Sequence, residues 1–321
     1  MVDALRPGQP TLSIVVPCYN EQLVLEESSR RLLAVLCSLV EARRISPQSF
    51  IYFVDDGSTD KTWSMIAAFH ERNPLIKGLR LARNVGHQNA LLAGLLGVRE
   101  RIDCAVSIDA DLQHDEGAIS LFLEKYNEGA DIVYGVRQDR FPDAPLKRST
   151  ALGFYNLMRI MGVKIIKNHA DYRLASRKAL EAVSEYKEFN LFLRGVFVDV
   201  GFRSAVVPFQ VRERFAGKSK YSMAKMVSFA LDGITSFSVV PLRFVTFIGL
   251  AIFIFSCLMT VFILVSVARG NVVPGWASTV IPIYFIGGVQ VMLMGLIGEY
   301  VGKIYKEVKG RPRFIKDIEL F

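Results

Sequence analysis

Two long stretches without a single charged side chain, residues 244–267 and 270–298, set the first limit on what this 321-residue chain can fold into. At about 1.5 Å per helical residue, either is long enough to cross a hydrocarbon core roughly 30 Å thick. A helix buried in a soluble core is seldom so long and so uniformly apolar. The connection between the runs carries one basic residue, Arg269, whereas Lys303, Lys306, Lys309, Arg311, Arg313 and Lys316 follow the second. Basic residues accumulate on the cytoplasmic side of a membrane. The sequence therefore predicts a helical hairpin with a short outer loop and with both longer ends in the cytoplasm, at an inner membrane. The N-terminus does not read as a signal peptide, because the apolar stretch after Leu12 is short and ends in Pro17.

The rest of the chain alternates apolar runs with charged stretches, as a soluble domain does. A net charge of +8 suits anionic partners. No nucleic-acid-binding module is recognisable, and much of the basic charge lies close to the apolar runs. Membrane lipids and phosphorylated substrates are the expected partners, and nucleic acid is not. The four cysteines, Cys18, Cys37, Cys104 and Cys257, are scattered. They suggest neither a disulfide framework nor a zinc site.

Apolar runs at 11–17, 50–56, 76–82, 104–111 and 131–136 read as strands, with helical spacing at 21–42, 61–71, from about 87, and 116–127. Ser58, Thr59 or Asp60 is the expected cap of the second helix. This alternation predicts an α/β fold with a mostly parallel sheet, whose ligands gather at the carboxyl ends of the strands. Helices are also expected at 146–161 and 189–200, a strand at 204–211, and an amphipathic helix along the membrane surface at 221–240.

Polar residues cluster at those strand ends. Pro17-Cys18-Tyr19-Asn20-Glu21 follows the first strand and has no glycine-rich turn, which argues against a dinucleotide-binding site. Asp55-Asp56-Gly57-Ser58 ends the second strand, and Asp109-Ala110-Asp111-Leu112-Gln113 the fourth. Two carboxylates two residues apart repel unless a cation holds them together. Oxygen ligands favour Mg²⁺ or Mn²⁺, which usually bind substrate phosphates at the same time. His87, His114 and His169 stand in three different contexts, and packing or capping is their expected role. Gly217-Lys218-Ser219 imitates the end of a phosphate-binding loop, but position 212 is Arg where that loop requires Gly.

The ordered set VVPCYNE, VDDGSTD, NVGHQNAL and SIDADLQHD resembles the family-2 glycosyltransferases of the GT-A fold. With the later ERFAGKSKY segment and the paired apolar runs, the resemblance narrows to polyprenyl-phosphate glycosyltransferases, among them dolichyl-phosphate mannose synthases and bactoprenol glucosyltransferases. It implies a Rossmann-like GT-A catalytic domain over 1–220, a membrane-interface helix at 221–243, a two-helix transmembrane hairpin at 244–306, a basic cytoplasmic tail at 307–321, and a homo-oligomer.

The resemblance also implies roles. Pro17, Tyr19, Glu21 and Asp56 would line the nucleoside pocket of a nucleotide-sugar donor, Asp56 bonding the base. Asp109, Asp111 and Gln113 would hold the metal on the donor diphosphate. Arg214, Ser219 and Lys220 would close over phosphates, and Arg137 and Arg148 would face the phosphate of a polyprenyl phosphate acceptor. Asp171 matches the position near the transferred sugar, with a role either as base or as stabiliser of positive charge. Arg173 and Arg177 are expected in surface salt bridges.

Processive polysaccharide synthases share the donor motifs but resemble one another in a Gln-x-x-Arg-Trp motif, and neither Trp63 nor Trp276 has that context. A non-catalytic scaffold subunit would have no need of both aspartates. Tyr172-Arg173-Leu174 after Asp171 looks like the bactoprenol glucosyltransferase branch. Inverting transfer of glucose from UDP-glucose is therefore the favoured reading, with GDP-mannose and UDP-aminoarabinose as alternative donors.

Overall fold

The computed structural model describes residues 8–138, 169–188, 193–211 and 275–321, with short stretches and single positions between 242 and 269. The expected helices at 146–161 and 221–240 lie outside the described residues, as do Arg148, Arg214, Ser219 and Lys220.

Strands β1 (Leu12–Cys18), β2 (Phe50–Asp55), β3 (Ile76–Leu81), β4 (Cys104–Ser107) and β5 (Ile132–Arg137) fall where the apolar runs predict them. Between them lie helices α1 (Leu25–Glu41), α2 (Thr62–Arg72), α3 (His87–Val98) and α4 (Ala118–Asn127). Then come β6 (His169–Ser176), α5 (Arg177–Ser184), α6 (Leu193–Asp199), β7 (Ser204–Phe209), α7 (Trp276–Val308) and β8 (Lys316–Leu320). One sheet contains all eight strands in the order β7-β5-β6-β4-β1-β2-β3-β8. It is mostly parallel; β6 runs antiparallel to β4 and β5, and β8 antiparallel to β3.

Alternation along each strand sends side chains to two cores. Leu12, Ile14 and Val16 of β1 join Ile51 and Phe53 under α1, α2 and α4. Val15 joins Tyr52 and Val54 under α3, α5 and α6. In α1 the spacing of Leu25, Leu32, Leu36 and Leu39 makes one buried stripe. Each such side chain contributes about 1.5–3 kcal/mol when fully covered.

Three elements depart from expectation. Residues 21–24 form a turn, so α1 begins at Leu25. At α2 the cap position is Lys61, and Asp60 acts from one residue earlier, its Oδ1 accepting from the Thr62 N–H at 2.9 Å. The tail, expected only to be basic, ends in β8. Glu319 Oε1 accepts from the Tyr52 hydroxyl at 2.7 Å, and the Phe321 ring packs on Phe50 and Tyr52 with centroids 5.6 and 5.3 Å away. The Arg101 guanidinium lies 3.6 Å from the centre of the same ring. Among the described residues one segment, Phe285–Val308, is long and apolar enough to cross a membrane. The first expected crossing, 244–267, is described only in part, 247–252 being its longest unbroken stretch.

Candidate active site

Strand register brings the predicted site residues to one edge. Because β2 and β4 both run parallel to β1, their carboxyl ends lie side by side, with Cys18 opposite Asp55 and Val15 opposite Ser107. Tyr19 to Glu21, Asp55-Asp56 and Asp109 to Gln113 therefore emerge together. The antiparallel β6 delivers its beginning to the same edge. Ser107 is paired with Arg173, and the Ser107 hydroxyl donates to the Asp171 carbonyl at 2.7 Å. Arg137, exposed at the end of β5, is on this edge too.

The first two loops are zipped together. The Asn20 N–H donates to Ser58 Oγ at 2.9 Å, Asn20 Oδ1 accepts from the Thr59 N–H at 2.9 Å, and the Glu21 N–H donates to Thr62 Oγ1 at 2.9 Å. Gly57 is required between them. Its φ is +64°, and an added Cβ would lie 2.7 Å from the backbone carbonyl carbon of Arg83 and the amide nitrogen of Asn84. Asp56 holds the next loop, its two oxygens accepting from the Val85 and Gly86 N–H groups at 2.8 and 3.0 Å. Burial pushes its carboxyl up from the ordinary range, and these two donors pull it back. Pro17 is buried in β1, while Tyr19 is 37 % exposed beside it. Asp55 is fully buried; its Oδ1 accepts from the Ser58 N–H, and its Oδ2 lies 3.8 Å from Arg80 Nε.

Asp109 stands between two imidazoles. His87 Nε2, at the start of α3, is 3.5 Å from Oδ1, and the buried His114 Nε2 is 3.8 Å from Oδ2. His114 stacks on Tyr172 with centroids 5.2 Å apart. Burial holds its imidazole below the usual range; Asp109 opposes this and Arg137 adds to it, which locates Arg137 within electrostatic reach of the site. Leu112 adopts φ +60°, and Asp111 Oδ1 accepts from the Gln113 N–H at 3.2 Å. The packing role expected for histidine fits His169, which lies buried edge-on to Tyr134. It is incomplete for His87 and His114, which the fold draws to one carboxylate.

Asp109, Asp111 and Gln113 offer hard oxygen donors. No group of three or more His, Cys, Asp and Glu side chains among the described residues could alone hold a metal ion. The donor set suits a cation bound by one or two carboxylates, with substrate phosphates completing its shell, as Mg²⁺ usually is.

Asp171 is the most constrained group. Arg194 grips it with two nitrogens: Nη2 donates to Oδ2 at 2.8 Å, and Nε reaches Oδ1 at 3.1 Å and Oδ2 at 3.3 Å. Arg173 Nη2 donates to Oδ1 from the other side. His87 Nε2 is 3.9 Å from Oδ2. Burial would push the carboxyl up, but Arg194 and Arg173 outweigh it and hold it well below the usual range.

Arg173 corrects the surface salt bridge expected for it. It is 1 % exposed, its guanidinium lying 4.7 Å from the Phe197 ring centre. Burial pulls that guanidinium below its usual range, against the opposing effect of Asp171. Arg177 does make the exposed bridge, to Asp103 at 3.3 Å. No sequence signal singles out Arg194, whereas His87 lies within a motif already picked out.

An α/β sheet with acidic loops at its carboxyl edge defines the class, and comparison with known proteins defines the family. Residues 13–184 match the family model for Glycosyl transferase family 2, and the chain belongs to that family. It is 51 % identical over 317 residues to "Uncharacterized glycosyltransferase YkoT" of Bacillus subtilis (strain 168), covering 99 % of this chain and 94 % of that protein. It is 39 % identical over 307 residues to the SfII prophage-derived bactoprenol glucosyl transferase of Shigella flexneri, covering 95 % and 96 %. A prophage bactoprenol glucosyl transferase homolog of Escherichia coli (strain K12) is 39 % identical over 309 residues, covering 95 % and 97 %.

Proposed function

We propose that this glycosyltransferase moves a hexose from a nucleotide sugar to a polyprenyl phosphate at the cytoplasmic face of a membrane, with UDP-glucose as the favoured donor. The observation that carries the reading is the convergence of Asp109, Asp111 and Asp171 on one sheet edge. The nearly full-length similarity to proteins named bactoprenol glucosyl transferase supports the acceptor and the sugar.

An acceptor phosphate is already anionic near neutral pH, its second pKa being about 6. One of its oxygens attacks the anomeric carbon while the bond from that carbon to the diphosphate oxygen breaks, so attack from the far side inverts the centre. Tyr19, Glu21 and the zipped loops would bind the nucleoside, and the loop fastened to Asp56 would shape that pocket. Asp109, Asp111 and Gln113 would hold a divalent cation, Mg²⁺ or Mn²⁺, which when bound neutralises charge on the leaving diphosphate. Arg137, with Arg148, Arg214, Ser219 and Lys220, would bind phosphate groups. Asp171, covered by guanidinium groups, is poorly suited to take up a proton. A fixed negative charge beside the sugar, stabilising positive charge as the bond breaks, suits it better.

The sheet also supports the membrane topology. The segment containing both apolar runs leaves the domain after β7 and returns to it at β8. Its two ends must then lie on one side of a membrane, so crossings come in even number. A crossing within Phe285–Val308 calls for a second, and residues 244–267 can supply it. The experiment is a panel of radiolabelled nucleotide sugars offered with membranes, followed by lipid extraction. Label from UDP-glucose should enter the lipid fraction. Label from GDP-mannose or UDP-aminoarabinose instead would move the donor assignment, and label from none would overturn the transfer reading.

A further inference from the structure

The contacts around Asp171 single out a residue that neither the sequence motifs nor the family assignment bring forward. Arg194 sits at the second position of α6, and α6 is anchored at that point from two sides. The Leu193 N–H donates to Gln88 Oε1 at 3.0 Å, tying α6 to the start of α3 beside His87. The Leu193 carbonyl accepts from Arg173 Nη1 at 3.4 Å, tying it to β6. Arg194 thus reaches Asp171 from a backbone held by the two elements that also carry His87 and Asp171. Its side chain is 37 % exposed, whereas that of Asp171 is 10 % exposed. Arg173 is enclosed and structural; Arg194 is the partner on the solvent side.

We propose that Arg194 is a positioning residue for glycosyl transfer, holding the Asp171 carboxylate in one orientation toward the sugar through its two-nitrogen grip. The proposal rests on the reading of Asp171 given above. A planar guanidinium fixes both carboxylate oxygens at once, which a single ammonium cannot do. Without that grip the carboxylate keeps Arg173 on Oδ1 and His87 only at 3.9 Å from Oδ2, and no fork fixes its plane. A displacement on the order of 1 Å at a reacting centre can lower a rate about a hundredfold. The effect should fall on turnover and leave donor binding unchanged, because Arg194 acts through Asp171 and not through the nucleotide loops.

The test is a double-mutant cycle in the full-length protein in detergent, with UDP-glucose and a short-chain polyprenyl phosphate. Arg194→Ala should lower kcat by roughly tenfold to a hundredfold with donor KM and UDP affinity unchanged, and Arg194→Lys should restore part of it. In an Asp171→Asn background, Arg194→Ala should lower kcat further by less than about twofold, since residues acting as one unit are not additive. The same factor in both backgrounds would overturn the proposal, as would an Arg194→Ala enzyme of undiminished kcat. Undiminished kcat in Asp171→Asn would instead remove the underlying reading of Asp171. If Asp171→Asn does not fold, Arg194→Gln and Arg194→Lys decide. Lower kcat in Gln than in Lys, with UDP affinity intact in both, supports positioning; equal loss with weakened UDP binding marks a merely structural arginine and overturns it.

Discussion

Replacing Gly57 by Ala isolates what the turn between the two nucleotide-side loops requires. Two costs add. The residue adopts φ +64°, and an L side chain in the left-handed region costs about 1–2 kcal/mol. The new methyl would also stand 2.7 Å from backbone atoms of Arg83 and Asn84, which have no rotamer by which to retreat. Overpacking of that kind costs about 1–3 kcal/mol more. Gly201 provides the control, because its φ is +71° but the nearest atom to an added Cβ, the Asp199 carbonyl oxygen, is 3.6 Å away. Gly201→Ala should lose only the conformational part, about 1–2 kcal/mol. Gly57→Ala should lose about 2–5 kcal/mol, a fall in melting temperature of very roughly 4–20 °C for a domain of this size. Donor affinity should fall as well, since the displaced segment leads into the Val85 and Gly86 N–H groups that bind Asp56. The assays are thermal unfolding and titration with UDP, run on both variants. Equal destabilisation of the two, or unchanged UDP affinity in Gly57→Ala, would refute the reasoning.

Asp111→Asn should lower turnover at least about tenfold, equivalent to 1.4 kcal/mol, and chelation by EDTA should abolish activity; turnover that survives both would remove the metal assignment. Arg137→Ala should raise the acceptor KM about tenfold or more, because a charged hydrogen bond to phosphate contributes about 1.5–3 kcal/mol, while donor KM stays put. Equal weakening toward both substrates would move Arg137 to the diphosphate. In sealed right-side-out vesicles a cysteine at Asn271 should react with an impermeant thiol reagent and one at Lys309 should not. Reaction at Lys309 would break the even-crossing topology.

Much of this was legible in the chain because the five strands of the first half are apolar runs, two of which, 50–56 and 104–111, end in paired acidic residues. Their parallel pairing, once assumed, brings Asp56 and Asp109 together without further information. The second half was harder for a physical reason. Strand β6 is buried along its whole length yet contains His169, Asp171, Arg173 and Ser176. Those groups are tolerated because partners far away in sequence satisfy them: Arg194 for Asp171, Asp131 for Ser176. No local pattern distinguishes such a strand from a polar loop, and Arg173 looked like a surface residue for the same reason. Strand β8 is short, charged and at the sheet edge, and its hydrogen-bond partner Tyr52 is 267 residues away in sequence. His87 and His114 meet at Asp109 only because α3 and the loop after β4 open onto the same edge.

The most direct test of the central claim is mass spectrometry of the lipid extract after purified protein is incubated with UDP-glucose and polyprenyl phosphate. The account predicts UDP release that depends on the lipid phosphate, together with a polyprenyl phosphate enlarged by a single hexose attached with inverted anomeric configuration. Free glucose as the sole product, a polymer, or equal turnover with a polyprenol lacking phosphate would contradict it.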